Sequence, residues 1–342
     1  FLTIWAMDKI TGPKKKLNAP YPFLQKYMDS SVSRYDRLYT PYLTDVWSGY
    51  DAQLNTHSSD FNGAIRQGGG YRLVYHKTGV MLYNLKYVLG DSLFSAAMKN
   101  YVKEWTGRHP YPEDFRNSVI NFTKVDLNWF FDQWLETTKN IDYAVKEVKQ
   151  IKTLGDSTEY KIVFKRIGSM QMPIDFVTVN KENQINSYHI PNTWFMKTTD
   201  AKILPKWYGW GLLNQEYTAT LKVKGKIKDV IIDPERILAD YDLTNNSYKK
   251  IDEWQLDTRL INPPSWDRKK IFWRPDLWWN QYDGLQLGLN ANSDYFGQQY
   301  WNNFSVWYNT GFLQNNIPAE IKNKHQPIAF IHTSKFNLSK YW

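Results

Sequence analysis

The sequence predicts a multidomain α+β protein: a helical bundle, then a β-sandwich, then a tryptophan-rich antiparallel β segment. Three observations lead there. Up to about Thr138, apolar residues recur at helical spacing. From Ile141 to about Asp242 the period falls to two, and turn residues separate the runs. After Ile251 come half of the 16 tryptophans, together with alternating apolar and polar stretches. The expected domains are therefore 1–138, 139–250 and 251–342.

In the first part, Val80, Leu82, Tyr83, Tyr87 and Val88 mark a helix that stops at Gly90. Asp91 suits the N-cap of the next, Ser92 to Trp105, with Phe94, Ala97, Met98 and Tyr101 along one face. Gly107-Arg108-His109-Pro110 breaks that helix, and Pro112-Glu113-Asp114 opens another carrying Phe115, Val119 and Phe122. Asp126 caps a last one with Leu127, Trp129, Phe130 and Trp134, whose tryptophans read as core.

The strand candidates of the second part are Tyr160 to Phe164, Pro173 to Val179, Tyr217 to Val223 and Val230 to Ile232. Gly155-Asp156 and Gly225-Lys226 supply turns between them. Strands of that length and spacing suit a sandwich of about 100 residues.

In the third part, Pro263-Pro264 and Arg274-Pro275 read as an irregular linker. Leu285, Leu287, Leu289 and Ala291 then alternate with Gln286, Gly288 and Asn290, and Phe304, Val306 and Tyr308 alternate with Ser305, Trp307 and Asn309. Three strands at most are legible here. They resemble a meander, or the first hairpin of an outer-membrane barrel with aromatic girdles. A barrel of about eight strands would have to continue beyond Trp342.

Composition narrows the chemistry. No run of 18 apolar residues exists to form a spanning helix. The absence of cysteine excludes disulfides, thiolate metal sites and a cysteine nucleophile. The 43 basic against 34 acidic residues leave a net charge of +9, but the basic residues are scattered. Their longest run, Lys14-Lys15-Lys16, reads as a solvated loop, so no nucleic-acid partner is expected. The six histidines lack His-Glu-x-x-His spacing, and Gly68-Gly69-Gly70 lacks the lysine of a phosphate loop. On residue chemistry alone, no active site is complete.

One stretch carries more. Tyr71-Arg72-Leu73-Val74-Tyr75-His76-Lys77-Thr78-Gly79 precedes a helix ending Leu89-Gly90-Asp91. Phe94, Tyr101, His109-Pro110 and Asp114-Phe115 follow. Then comes Asp126-Leu127-Asn128-Trp129-Phe130-Phe131-Asp132-Gln133-Trp134-Leu135. Downstream stand Met172-Pro173-Ile174, Ile232-Asp233-Pro234 and Asn245-Asn246. Together these segments resemble the C-terminal portion of the aminopeptidase N-like gluzincin zinc metallopeptidases of bacterial type, from about Phe1 to Asn246. The Tyr75 segment and the Trp134 helix form the more specific pair.

The resemblance implies zinc-dependent removal of N-terminal residues from peptide substrates. It places the oxyanion-stabilising tyrosine at Tyr75 and suggests a substrate-binding wall at Tyr71. The family's zinc segments, a His-Glu-x-x-His helix and a Trp-x-x-Glu-Gly-Phe-like stretch, are not in this sequence. They are expected upstream of Phe1, because Phe1 to Met7 read like the middle of a buried helix. The alternative is a peptidase-like scaffold or binding subunit without chemistry. Either would work in the cell envelope, in the periplasm or at the outer membrane; the tryptophans around Trp266, Trp273, Trp278 and Trp279 suit a bilayer interface or domain packing, with a sugar-stacking platform as the alternative.

Overall fold

The computed structural model describes residues 4–6, 14–16, 30–32, 34–56, 73–209, 212–250, 252–258, 268–294, 300–322 and 324–336. Tyr71, Arg72, His57, the Gly68–Gly70 run, Pro263-Pro264 and Trp266 lie outside these residues. The chain is α+β and divides into two compact units, Phe1–Lys15 with Ser31–Lys249, and Lys16–Ser30 with Lys250–Trp342. Among the described residues no helix is long and apolar enough to cross a membrane.

Lys14–Lys16 form a short strand, β1, paired with β2 at Ser30–Val32, where the sequence suggested a solvated loop. A π-helical turn at Tyr35–Tyr39 leads into α1, Thr40–Ser48, which ends at a left-handed Gly49. A second π-turn, Leu73–Lys77, leads into α2, Thr78–Leu89. Gly79 in its first turn lets α2 approach Leu38, whose Cδ2 would lie 2.8 Å from an added Cβ.

Helices α3, Asp91–Trp105, α4, Pro112–Thr123, and α5, Asn128–Leu135, complete the helical part. Asp91 is not the N-cap of α3. Gly90 holds that position at φ 79°, and Asp91 sits in the first turn with Lys86 Nζ 2.5 Å away. Asp114 accepts the Tyr111 backbone N–H at the start of α4. Asp126 is not the N-cap of α5 either: Leu127 holds that position, and Asp126, one residue earlier, accepts the Asn128 N–H through Oδ1. Phe130, Phe131 and Trp134 are fully buried in edge-to-face and tilted contacts, with Tyr42 of α1 at 5.9 Å from Trp134. Trp129 is only half-buried and borders a cavity of about 570 Å³ with Trp194 and Lys206.

Two sheets follow in the same unit. One has the order β3-β4-β8: Tyr143–Leu154, Ser157–Arg166 and Glu216–Lys224. The other has the order β7-β6-β5-β9, where β5 is Ile174–Asn180, β6 Ile185–Ile190, β7 Lys202–Ile203 and β9 Ile227–Ile232. They pack as in a sandwich: Phe164 of β4 meets Phe176 of β5 at 4.6 Å, and Tyr188 of β6 stacks on Phe176. Strand β3 escapes the period-two reading because bulges between Val145 and Glu147 and between Gln150 and Lys152 shift its alternation twice.

The second unit contains a sheet in the order β10-β11-β12-β13-β14. The strands are Glu253–Leu256, Lys270–Asn280, Gly284–Asp294, Tyr300–Asn309 and Ile328–Phe336. Only the β10–β11 pair is parallel, and none of the described sheets closes into a barrel. Five strands thus replace the three that were legible, and Arg274-Pro275 lies inside β11 rather than in a linker. Proline is tolerated there because β10 pairs only as far as Trp273, leaving that side of Pro275 without a described partner strand. Gly288 leaves room for the Trp307 ring of the neighbouring strand.

Candidate functional site

The π-turn Leu73–Lys77 splits its side chains between two environments. Leu73 and Lys77, four apart, point inward, whereas Val74 and Tyr75 face outward, with Tyr75 57 % exposed. The Lys77 ammonium donates to both Asp51 carboxylate oxygens at 2.9 and 3.0 Å, to Ala52 O at 2.7 Å and to Thr137 O at 3.3 Å. Lys77 is 1 % exposed. Burial pushes its pKa down and that of Asp51 up, and each charge partly counters the shift of the other. The turn carrying Tyr75 is thereby tied to the segment after α1 and to Thr137, two residues beyond the end of α5. Tyr71, the other site residue drawn from the sequence, lies outside the described residues.

Among the described residues no group of three or more His, Cys, Asp or Glu side chains is placed to hold a metal ion. The described residues therefore offer zinc no set of three such ligands.

A second polar cluster, which sequence reasoning missed, joins α2 to the sandwich. Asp175 and His189 are cross-strand neighbours on β5 and β6, and the His189 Nδ1–H donates to Asp175 Oδ1 at 2.6 Å. Lys197 donates to Asp175 Oδ2 at 2.6 Å and to Tyr87 O at 3.0 Å, with its ammonium 4.1 Å from the Tyr87 ring centroid. The Asp175 N–H donates to the Tyr87 hydroxyl at 2.6 Å. Burial alone would raise the Asp175 pKa, but the His189 hydrogen bond and the Lys197 charge win and hold it below the usual carboxylate value. The cluster borders a cavity of about 970 Å³ that also touches Lys86, Lys202 and Asp233. Through these contacts Asp175, His189 and Lys197 join β5 and β6 to α2.

The Ile232-Asp233-Pro234 and Asn245-Asn246 motifs meet in space. The Ile232 N–H donates to Asn246 O at 2.8 Å, and Asn245 donates to Asp142 Oδ1 at 2.8 Å. Asp233 Oδ2 accepts the Leu238 N–H at 2.6 Å and helps hold the loop onto which the first π-turn docks, through Tyr35 to Arg236 O and Tyr39 to Ile237 O. Complete burial drives the Asp233 pKa up to about 7.

That shift has a sign. With the folded pKa above the unfolded value, the stabilising contribution of the bound proton is complete below about pH 4 and is lost as pH rises through about 7. The slope reaches about 1.4 kcal/mol per pH unit within the window, for a total on the order of 4 kcal/mol. Asn at 233 keeps the acceptor oxygen and tolerates the left-handed φ of 44°. Asp233→Asn should flatten the fall in urea midpoint between pH 4.5 and 7.5. Parallel pH profiles for the two proteins would refute the assignment.

No family model matches the chain, and no curated protein matches it significantly.

Proposed function

We propose that the chain is part of a zinc-dependent metallo-aminopeptidase that hydrolyses N-terminal residues from peptides. Its zinc ligands would lie in polypeptide preceding Phe1. The observation that carries this reading is the placement of Tyr75. It combines the gluzincin-like sequence context with an outward phenol on a turn anchored by a buried ion pair. A tyrosine hydroxyl is a neutral donor, suited to a peptide carbonyl oxygen that gains negative charge during attack. An anchored donor costs little reorganisation when that charge develops. On this reading Tyr71 would line the substrate path beside it, the helical part, 1–138, would belong to a gluzincin-like catalytic domain, and 139–250 would be a separate β-sandwich domain.

The test is the metal content of the natively purified protein, measured with its peptidase activity. About one zinc per polypeptide is expected, as for a mononuclear catalytic site, with hydrolysis of free but not N-acetylated peptides. Absence of both would replace the enzyme with a non-catalytic scaffold or binding subunit of the cell envelope.

A further inference from the structure

The five-stranded sheet of the second unit has its polarity inverted. Register places Leu277, Leu287, Tyr308 and Ile328 in one row across β11 to β14, and Pro275, Leu289, Val306 and Phe330 in the next. These two rows share one face. Leu277, Leu287, Leu289, Tyr308, Ile328 and Phe330 on it are 45 to 68 % exposed. In the middle of the opposite face Gln286, Asn290, Ser305 and Asn309 are all buried, while Trp278 and Ile331 at its margins are exposed. Gln286 donates to Asn309 Oδ1 at 2.5 Å, and Asn290 donates to Ser305 Oγ at 2.7 Å and to Asn303 Oδ1 at 2.8 Å. A sheet folded for water buries its apolar side and hydrates its amides.

Charge follows the same division. Glu253, Lys270, Arg274, Asp276 and Lys335 occupy register positions of the polar face. No Asp, Glu, Lys or Arg occupies the apolar face among the described strand residues. A protein partner in water would be met by a polar rim around an apolar centre, whereas hydrocarbon selects against charge over the whole face. The strand lengths agree: β11 and β12 have 11 residues, β13 has 10 and β14 has 9. Eleven residues at about 3.4 Å each, tilted by about 40°, rise roughly 28 Å, although the end of this face that carries Ser293, Asn302, His332 and Ser334 is polar and the apolar band is correspondingly shorter. Trp273 and Trp279 are also on the apolar face and exposed, roughly 16 Å apart along the same tilted rise.

We propose that this face is immersed in the acyl chains of a lipid bilayer, with the amide-lined face turned away from lipid. The inference stands apart from the peptidase reading. It has one structural corollary: a bilayer offers no water to open strand edges, so the β14 edge and the β11 edge beyond Trp273 must both pair with further strands there.

The chain lacks cysteine, so single cysteines can report each face separately. The full chain would carry Leu287→Cys or Phe330→Cys on the apolar face, or Arg274→Cys on the other, labelled with an environment-sensitive fluorophore. The probe is phosphatidylcholine vesicles, whose lack of net charge prevents the basic excess from driving adsorption. Blue-shifted emission and quenching by doxyl-labelled lipid are expected at 287 and 330 but not at 274. Equal quenching at all three positions, or none at any, overturns the proposal. So does protection of 287 and 330 without lipid that grows with protein concentration, which would make the occupant a second copy of the chain. Two apolar-face variants keep the result readable if one fails to fold.

Discussion

Lys77→Met should destabilise the helical part by about 3–5 kcal/mol, the usual cost of removing one partner from a buried ion pair. The variant keeps an apolar stem of similar length but strands the Asp51 carboxylate, whose side chain is 5 % exposed. It also deprives Ala52 O and Thr137 O of their shared donor. Most of the loss is desolvation of groups left unsatisfied rather than the net strength of the pair. Lys77→Met combined with Asp51→Leu should therefore recover most of the stability, because neither charge is then buried alone. Urea midpoints at constant m-value measure both effects. A Lys77→Met variant within about 1 kcal/mol of the parent would mean that the pair is far more hydrated than its burial indicates.

The sequence announced elements wherever local chemistry and burial agree. Helix α2 stops at Gly90 and α4 opens at Pro112, as their breakers require. The alternation in β12 and β13 identified both strands. It failed where a residue's environment is set by distant segments. Lys77 looks like any solvated lysine, because its acceptors lie at Asp51, Ala52 and Thr137. Asp175, His189 and Lys197 are scattered polar residues until β5 and β6 pair. Pro275 argued for a linker because the sequence does not reveal that β10 stops short of it. For the candidate site, Tyr75 was legible through a motif and its outward placement was not. The one signal pointing to its anchor was Lys77, two residues on in the same segment.

Tyr75→Phe in the natively purified protein should lower kcat on an aminoacyl arylamide about 10²- to 10³-fold, or roughly 3–4 kcal/mol of transition-state stabilisation. The change deletes one hydroxyl from a ring that is 57 % exposed, so its stability should stay within about 0.5 kcal/mol of the parent. KM should move little, because a donor to the oxyanion acts in the transition state rather than in the bound substrate. The most direct measurement of the central claim is this kcat ratio, taken with the thermal midpoint of each protein. A fall of at least about 100-fold at an unchanged midpoint is the predicted result. Equal turnover in the two proteins, or none in the parent, would contradict it.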